Sequence, residues 1–177
     1  MIPMPENSLK SRPAAGADMA GQYLTFNLGG ELFAAGILHV KEIVEYGKPT
    51  SVPLMPAYIH GVINLRGSVL PVIDLSLRLG RNSSRIGRRS CIVVMEVETD
   101  AGLQDIGVVV DSVNAVVDIS AAEIEPPPSF GARIRNDFIA GMGRLEHGFV
   151  ILLQLARVLA VEELAALGLP APVALND

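Results

Sequence analysis

The chain repeats itself, and that repeat constrains its fold more than any other feature. A shift of 73 positions carries Phe33 to Glu45 onto Ile106 to Asp118, setting Phe33 on Ile106, Ile37 on Val110, Val40 on Val113, Ile43 on Val116 and Glu45 on Asp118. The same shift takes Pro53 onto Pro126. Farther along, a shift of 80 sets Gly61 on Gly141, Val72 and Ile73 on Leu152 and Leu153, and Leu75 on Leu155. The difference between the offsets, 80 less 73, requires seven extra residues in the second copy, around Phe130 to Arg133, a stretch that reads as a surface loop. Valine set on valine carries little weight in so apolar a chain, so the duplication rests on glycine, proline and acidic positions that match in order.

Each copy reads as short strands. Leu24, Phe26 and Leu28 alternate with Tyr23, Thr25 and Asn27, the period of a pleated strand. Gly29-Gly30 closes a hairpin, Leu32 to Ala35 returns, and Val40, Ile43 and Val44 form a further extended segment that ends before Gly47 and Pro49. In the second copy Cys91 to Val97 is a strand, Asp100-Ala101-Gly102 a turn and Ile106 to Val110 the return. Seventeen glycines, 12 prolines and a core dominated by valine and isoleucine favour short strands and turns over long helices. An all-β fold of two five-stranded barrels follows, because closing a sheet of this size hides its edges. The expected boundaries are a flexible N-terminal tail over 1–22, a first barrel over about 23–80, a linker over 81–89, a second barrel over about 90–155, and a C-terminal helix and tail over 161–177. A domain this small buries only about 60 per cent of its unfolded surface, which predicts an apolar seam shared between the barrels. Helix is peripheral: a short turn at Leu75 to Leu79, and Val161 to Leu167 ending at Gly168 with Pro170 beyond.

A net charge of −5 argues against a protein that neutralises nucleic-acid phosphates. The single cysteine, Cys91, has no disulfide partner within the chain, lies in an apolar strand and lacks a neighbouring base, so it reads as an inert buried thiol in a reducing compartment. The N-terminus lacks the pattern of a signal peptide. The most apolar stretch, Phe149 to Val161, is interrupted by Gln154 and Arg157 and falls short of the ~20 residues of a membrane span. His39, His60 and His147 stand far apart, without acidic or cysteine neighbours at ligand spacing, and read as surface histidines on loops rather than a metal site. Gly141-Met142-Gly143 lacks the third glycine of a dinucleotide fingerprint, and no catalytic set or cofactor site is expected. Arg81, Arg85, Arg88 and Arg89 lie between Gly80 and Ser90 without an acid among them. They are either a solvated inter-repeat linker, the plainer reading, or a strip for an anionic partner.

The run from Gly61 to Leu75 is a hairpin, with strands at Ile63 to Leu65 and Val69 to Ile73 and a turn at Arg66-Gly67-Ser68. This Asn64-Leu65-Arg66-Gly67 turn and its proline-bearing return strand resemble the CheW family of chemotaxis adaptors. So do Val52-Pro53 with Pro56-Ala57-Tyr58-Ile59 before it, the Val40-Lys41-Glu42-Ile43 segment, Gly107 to Val113, and Ile139-Ala140-Gly141. The likeness spans Tyr23 to about Leu159, with one departure at Gln154, where the family often carries an acid. The resemblance implies two SH3-like barrels forming a CheW-like domain over 23–160. It also implies a non-catalytic adaptor that binds the hairpin tip of methyl-accepting chemoreceptors and the regulatory domain of a CheA-type histidine kinase. Such a protein is cytoplasmic, is recruited to membrane-bound receptor arrays, and inserts into no membrane. The same role in a pathway for twitching or surface sensing is the alternative, and a ligand-binding or enzymatic barrel the distant one. Receptor binding is expected of Arg66, through a guanidinium fork on a turn, with Glu42 as its counterpart. Val40, Ile43 and Ile63 would supply an apolar floor, or be core, the better reading for Ile63. A structural ion pair between Arg66 and Glu42 is the plainer alternative to direct contact, and both hold if the pair shapes the groove.

Overall fold

A computed structural model describes residues 21–99, 102–127 and 135–160. Five strands open the chain: β1 (Gln22–Leu28), β2 (Glu31–Gly36), β3 (Val40–Glu45), β4 (Ile59–Leu65) and β5 (Ser68–Asp74), followed by the one-turn helix α1 (Leu75–Arg78). The second set is β6 (Cys91–Thr99), β7 (Gly102–Val110), β8 (Ser112–Asp118), the two-residue β9 (Ile124–Glu125), β10 (Ile139–Leu145), β11 (Gly148–Leu153) and α2 (Leu155–Val158). The duplication is structural: at the offset of 80, β4 falls on β10, β5 on β11 and α1 on α2, and at 73, β3 falls on β8. The first strand begins at Gln22, one residue into the expected tail. Residues 1–20 of that tail, Asp100-Ala101, the Phe130 to Arg133 insertion and the Val161 to Leu167 helix lie outside the described residues.

The barrels do not follow the chain as expected. One sheet has the order β8-β1-β2-β11-β10-β9 and the other β3-β6-β7-β5-β4. The β1–β2 hairpin of the first copy therefore sits among strands of the second, and the β6–β7 hairpin of the second copy sits among strands of the first. Boundaries of 23–80 and 90–155 are corrected accordingly, since each barrel draws on both halves of the chain. Hairpin alternation is a local property and is satisfied whichever sheet the hairpin joins. Joining the far copy adds the parallel pairs β11–β2 and β5–β7, which tie the halves together.

Side-chain alternation sorts the apolar residues into three clusters. Leu70, Val72, Ile92, Val94 and Val109 fill the five-stranded barrel. Tyr23, Ala34, Ile119, Val150 and Leu152 fill the other. The opposite faces of the same strands, including Leu24, Phe26, Leu28, Phe33, Ile73, Val93, Met95, Val108 and Val110, form the largest cluster, the seam between the barrels. Each such residue contributes roughly 1.5–3 kcal/mol when fully buried. Here that contribution depends on the other barrel being present.

Each sheet closes with a short stretch of chain after its outer strand. Thr50 and Val62 exchange hydrogen bonds of 2.9 Å across the open side of the five-stranded sheet, as β9 and β10 do in the other. The approach demands a glycine at position 61: its φ is +150°, and a Cβ there would run into the Thr50 carbonyl. At the seam, Arg78 of α1 donates from Nε to the Val158 carbonyl of α2 at 2.8 Å. Its guanidinium lies 5.1 and 4.9 Å from the ring centroids of Tyr58 and Phe138. Among the described residues no helix is long and apolar enough to cross a membrane.

Candidate functional site

Four of the five expected site residues, Val40, Glu42, Ile43 and Arg66, lie on β3, the outer strand of the five-stranded sheet, and on the β4–β5 turn. A regular strand would place Val40 and Ile43, three apart, on opposite faces. The ladder instead slips at Lys41: Val40 faces Met95, whereas Glu42 faces Val94 and Ile43 faces Val93. This bulge turns Val40 and Ile43 both toward the seam, whose cluster contains Met95 and Val93. Val40 is half-buried there, and Ile43 remains 43% exposed. Glu42 and Val44 turn the other way, toward the barrel mouth.

Lys41, freed from the ladder, reaches Asp105 of β7 at 2.9 Å and Glu96 of β6 at 3.7 Å. Its ammonium is held above the usual lysine range, first by the hydrogen bond to Asp105. The sequence reading missed this cluster, because a bulge leaves no mark in residue order.

Arg66 and Gly67 have φ of 53° and 88°, the signs of a two-residue hairpin turn that follows the right-handed twist of its strands. Asn64 steadies the turn by accepting from the Gly67 N–H at 2.9 Å. From this turn Arg66 donates two parallel hydrogen bonds to the Glu42 carboxylate, Nη1 to Oε2 at 2.7 Å and Nη2 to Oε1 at 2.6 Å. The fork holds Glu42 below the usual carboxylate range, the hydrogen bond being the main cause, and raises Arg66. Arg66 stays 69% exposed in its side chain, against 28% for Glu42, so the guanidinium keeps a face toward solvent. The second copy has no equivalent: the offsets of 80 and 73 place Glu146 and Ala115 at these positions.

Ile63 does not join this surface. It packs with Leu70, Val72 and Val94 inside the barrel, beneath the Arg66 turn. His60 also departs from expectation: it lies in β4, half-buried, with Nε2 2.8 Å from the Tyr46 hydroxyl, so only a closed barrel brings them together. Cys91 is half-buried rather than buried, and burial followed by the Glu45 carboxylate pushes its thiol above the ordinary value. Among the described residues no three His, Cys, Asp or Glu side chains gather where a metal could be held.

The CheW-like domain family model matches residues 22–163. The chain is similar to the chemotaxis protein CheW of Klebsiella aerogenes, 32% identical over 151 residues that cover 85% of this chain and 89% of that protein. It is also similar to the chemotaxis protein CheW of Rhizobium meliloti, 33% identical over 142 residues, 80% of this chain and 89% of that protein. Among solved structures, the scaffolding protein TtCheW from Thermoanaerobacter tengcongensis superimposes with a TM-score of 0.72 at 32% identity, covering 81% of this chain and 94% of that one. With a duplicated pair of SH3-like barrels and a family match across nearly all its described residues, the chain belongs to the CheW-like domain family.

Proposed function

We propose that this protein is a non-catalytic adaptor of chemotaxis signalling, joining methyl-accepting chemoreceptors to a CheA-type histidine kinase. Family membership supports the adaptor role, and the β3 surface supports its receptor half. Val40 and Ile43 share the seam-facing side of an outer strand, where an amphipathic helix of a receptor tip can lay its apolar face. Glu42, between them on the strand, turns to the other face and holds Arg66 of the β4–β5 turn. The observation that carries this assignment is the one-sided fork: Glu42 uses both oxygens on Arg66, while Arg66 retains solvent-facing donors for a carboxylate or for carbonyls at a helix end. Ile63 acts from below, by supporting the hairpin that carries Arg66. The protein works in the cytoplasm, drawn to membrane-bound arrays through its receptors.

The kinase regulatory domain binds elsewhere, on a barrel end, so receptor and kinase do not compete. Pulldowns with a receptor signalling fragment and an isolated kinase regulatory domain test this. Arg66→Ala weakens receptor capture and spares kinase capture. Equal loss of both, in a variant that is correctly folded by circular dichroism, counts against the assignment.

A further inference from the structure

The arginines of the linker have no part in the adaptor surface described above. Arg81 is engaged within the fold, in an ion pair with Glu31 at 2.6 Å and over the Phe33 ring. Arg85, Arg88 and Arg89 are exposed and have no ion-pair partner among the described residues. The ribbon that carries them is pinned. Ser76 Oγ donates to the Asn82 carbonyl at 2.6 Å, the Ser84 N–H and hydroxyl donate to buried Asp74 at 3.0 and 2.8 Å, and the Gly87 N–H donates to Ser90 Oγ at 2.8 Å. A chain already held in place loses little further freedom when a ligand binds it.

Beside Arg88 and Arg89 opens a cleft of about 580 Å³. Its walls include the end of β3 at Glu45 with the following Tyr46, the start of β6 at Cys91, the end of β1 at Asn27 and the start of β8 at Ser112 and Asn114. Glu45 is paired with Cys91 and Asn27 with Ser112, so the cleft lies between the ends of two paired strands from each sheet. The polar side chains of Asn27, Ser90, Ser112 and Asn114 on its lining can hydrogen-bond the main chain of an extended peptide.

We propose that the linker face and this cleft form a docking site for an extended, carboxylate-rich segment of a partner protein. Guanidinium forks match carboxylates in pairs. Arg85 and Arg88, three residues apart, are separated by at most roughly 10 Å of backbone, a reach of about three residues of extended chain rather than of one small anion. Glu45 on the cleft wall opposes a ligand of very high charge density. The rest of the protein is acidic, so this strip is a local reversal of sign that selects an acidic partner.

The test is fluorescence anisotropy of the full chain with a labelled peptide of alternating Glu and Val, with an alternating Lys and Val peptide as the control. The Glu peptide binds, and binding weakens as salt rises from about 50 to about 500 mM. Amide shifts concentrate at 85–91 and 112–114, and Arg88→Glu with Arg89→Glu lowers affinity about tenfold or more. Arg66→Ala leaves this binding unchanged, which separates it from the receptor surface. If the double reversal does not fold, Arg88→Gln with Arg89→Gln is read instead, since neither side chain has an ion-pair partner among the described residues. Undiminished binding by the folded variant, shifts located elsewhere, or capture of tripolyphosphate without capture of the peptide would overturn the proposal.

Discussion

Arg66 and Glu42 join the two edges of one barrel. Glu42 lies on β3 and Arg66 on the turn after β4, the outermost strands of the same five-stranded sheet, and the paired hydrogen bonds of 2.7 and 2.6 Å run between them. Because the fork lowers the folded-state pKa of Glu42, its contribution to stability is fully present above the ordinary value of 4.5 and is lost as pH falls through the lowered one. An NMR titration of the Glu42 side chain shows that depressed midpoint in the native protein and a return toward 4.5 in Arg66→Ala. A midpoint unmoved by the substitution would mean the fork does not persist in solution.

The exchange of hairpins predicts that neither half of the chain folds alone. A fragment ending at residue 80 leaves β3 without β6, and β1–β2 without β8 and β11. Separate fragments 1–80 and 81–177 should each give the amide spectrum of an unfolded chain, and the intact protein should unfold in a single cooperative step. A folded N-terminal fragment would contradict the sheet order.

Arg78→Ala removes a guanidinium that both caps α2 and lies against two rings at the seam. The expected loss is about 1–3 kcal/mol in urea unfolding, with Arg78→Lys recovering only part of it, because an ammonium lacks the planar donor set.

The helix caps differ between the copies. Asp74 is buried and accepts from the Leu77 N–H at 3.2 Å as well as from Ser84, so Asp74→Ala leaves several donors unpaired and should cost roughly 2–4 kcal/mol. At the matching position Gln154 makes no side-chain cap, and Gln154→Asp should add about 0.5–1 kcal/mol. Chemical denaturation of both variants checks the pair, and a destabilised Gln154→Asp would show that α2 cannot use a cap.

Gly61→Ala combines a left-sided φ with a collision at the Thr50 carbonyl, at the point where the barrel closes. A loss of roughly 2 kcal/mol or more is expected from thermal unfolding, whereas Gly30→Ala, with open space around it, costs less.

Residue order alone located most of the strands, their hairpins and the duplication, because alternation, turn residues and repeat offsets are local or countable, but it gave no sign of the two-residue β9. It also brought Arg66 and Glu42 together as candidates, through a turn that displays its side chain. Only the tertiary structure decided which sheet each hairpin joins, since β1–β2 and β6–β7 present the same alternation to either partner. It likewise decided that Val40 and Ile43 share a face, because the slip at Lys41 is set by how β3 fits against β6. The depth of Ile63 and the meeting of Tyr46 with His60 follow from barrel closure. Pairing across a closed sheet depends on segments distant in the chain, and the energy that selects it resides in the seam, which exists only once both barrels are assembled.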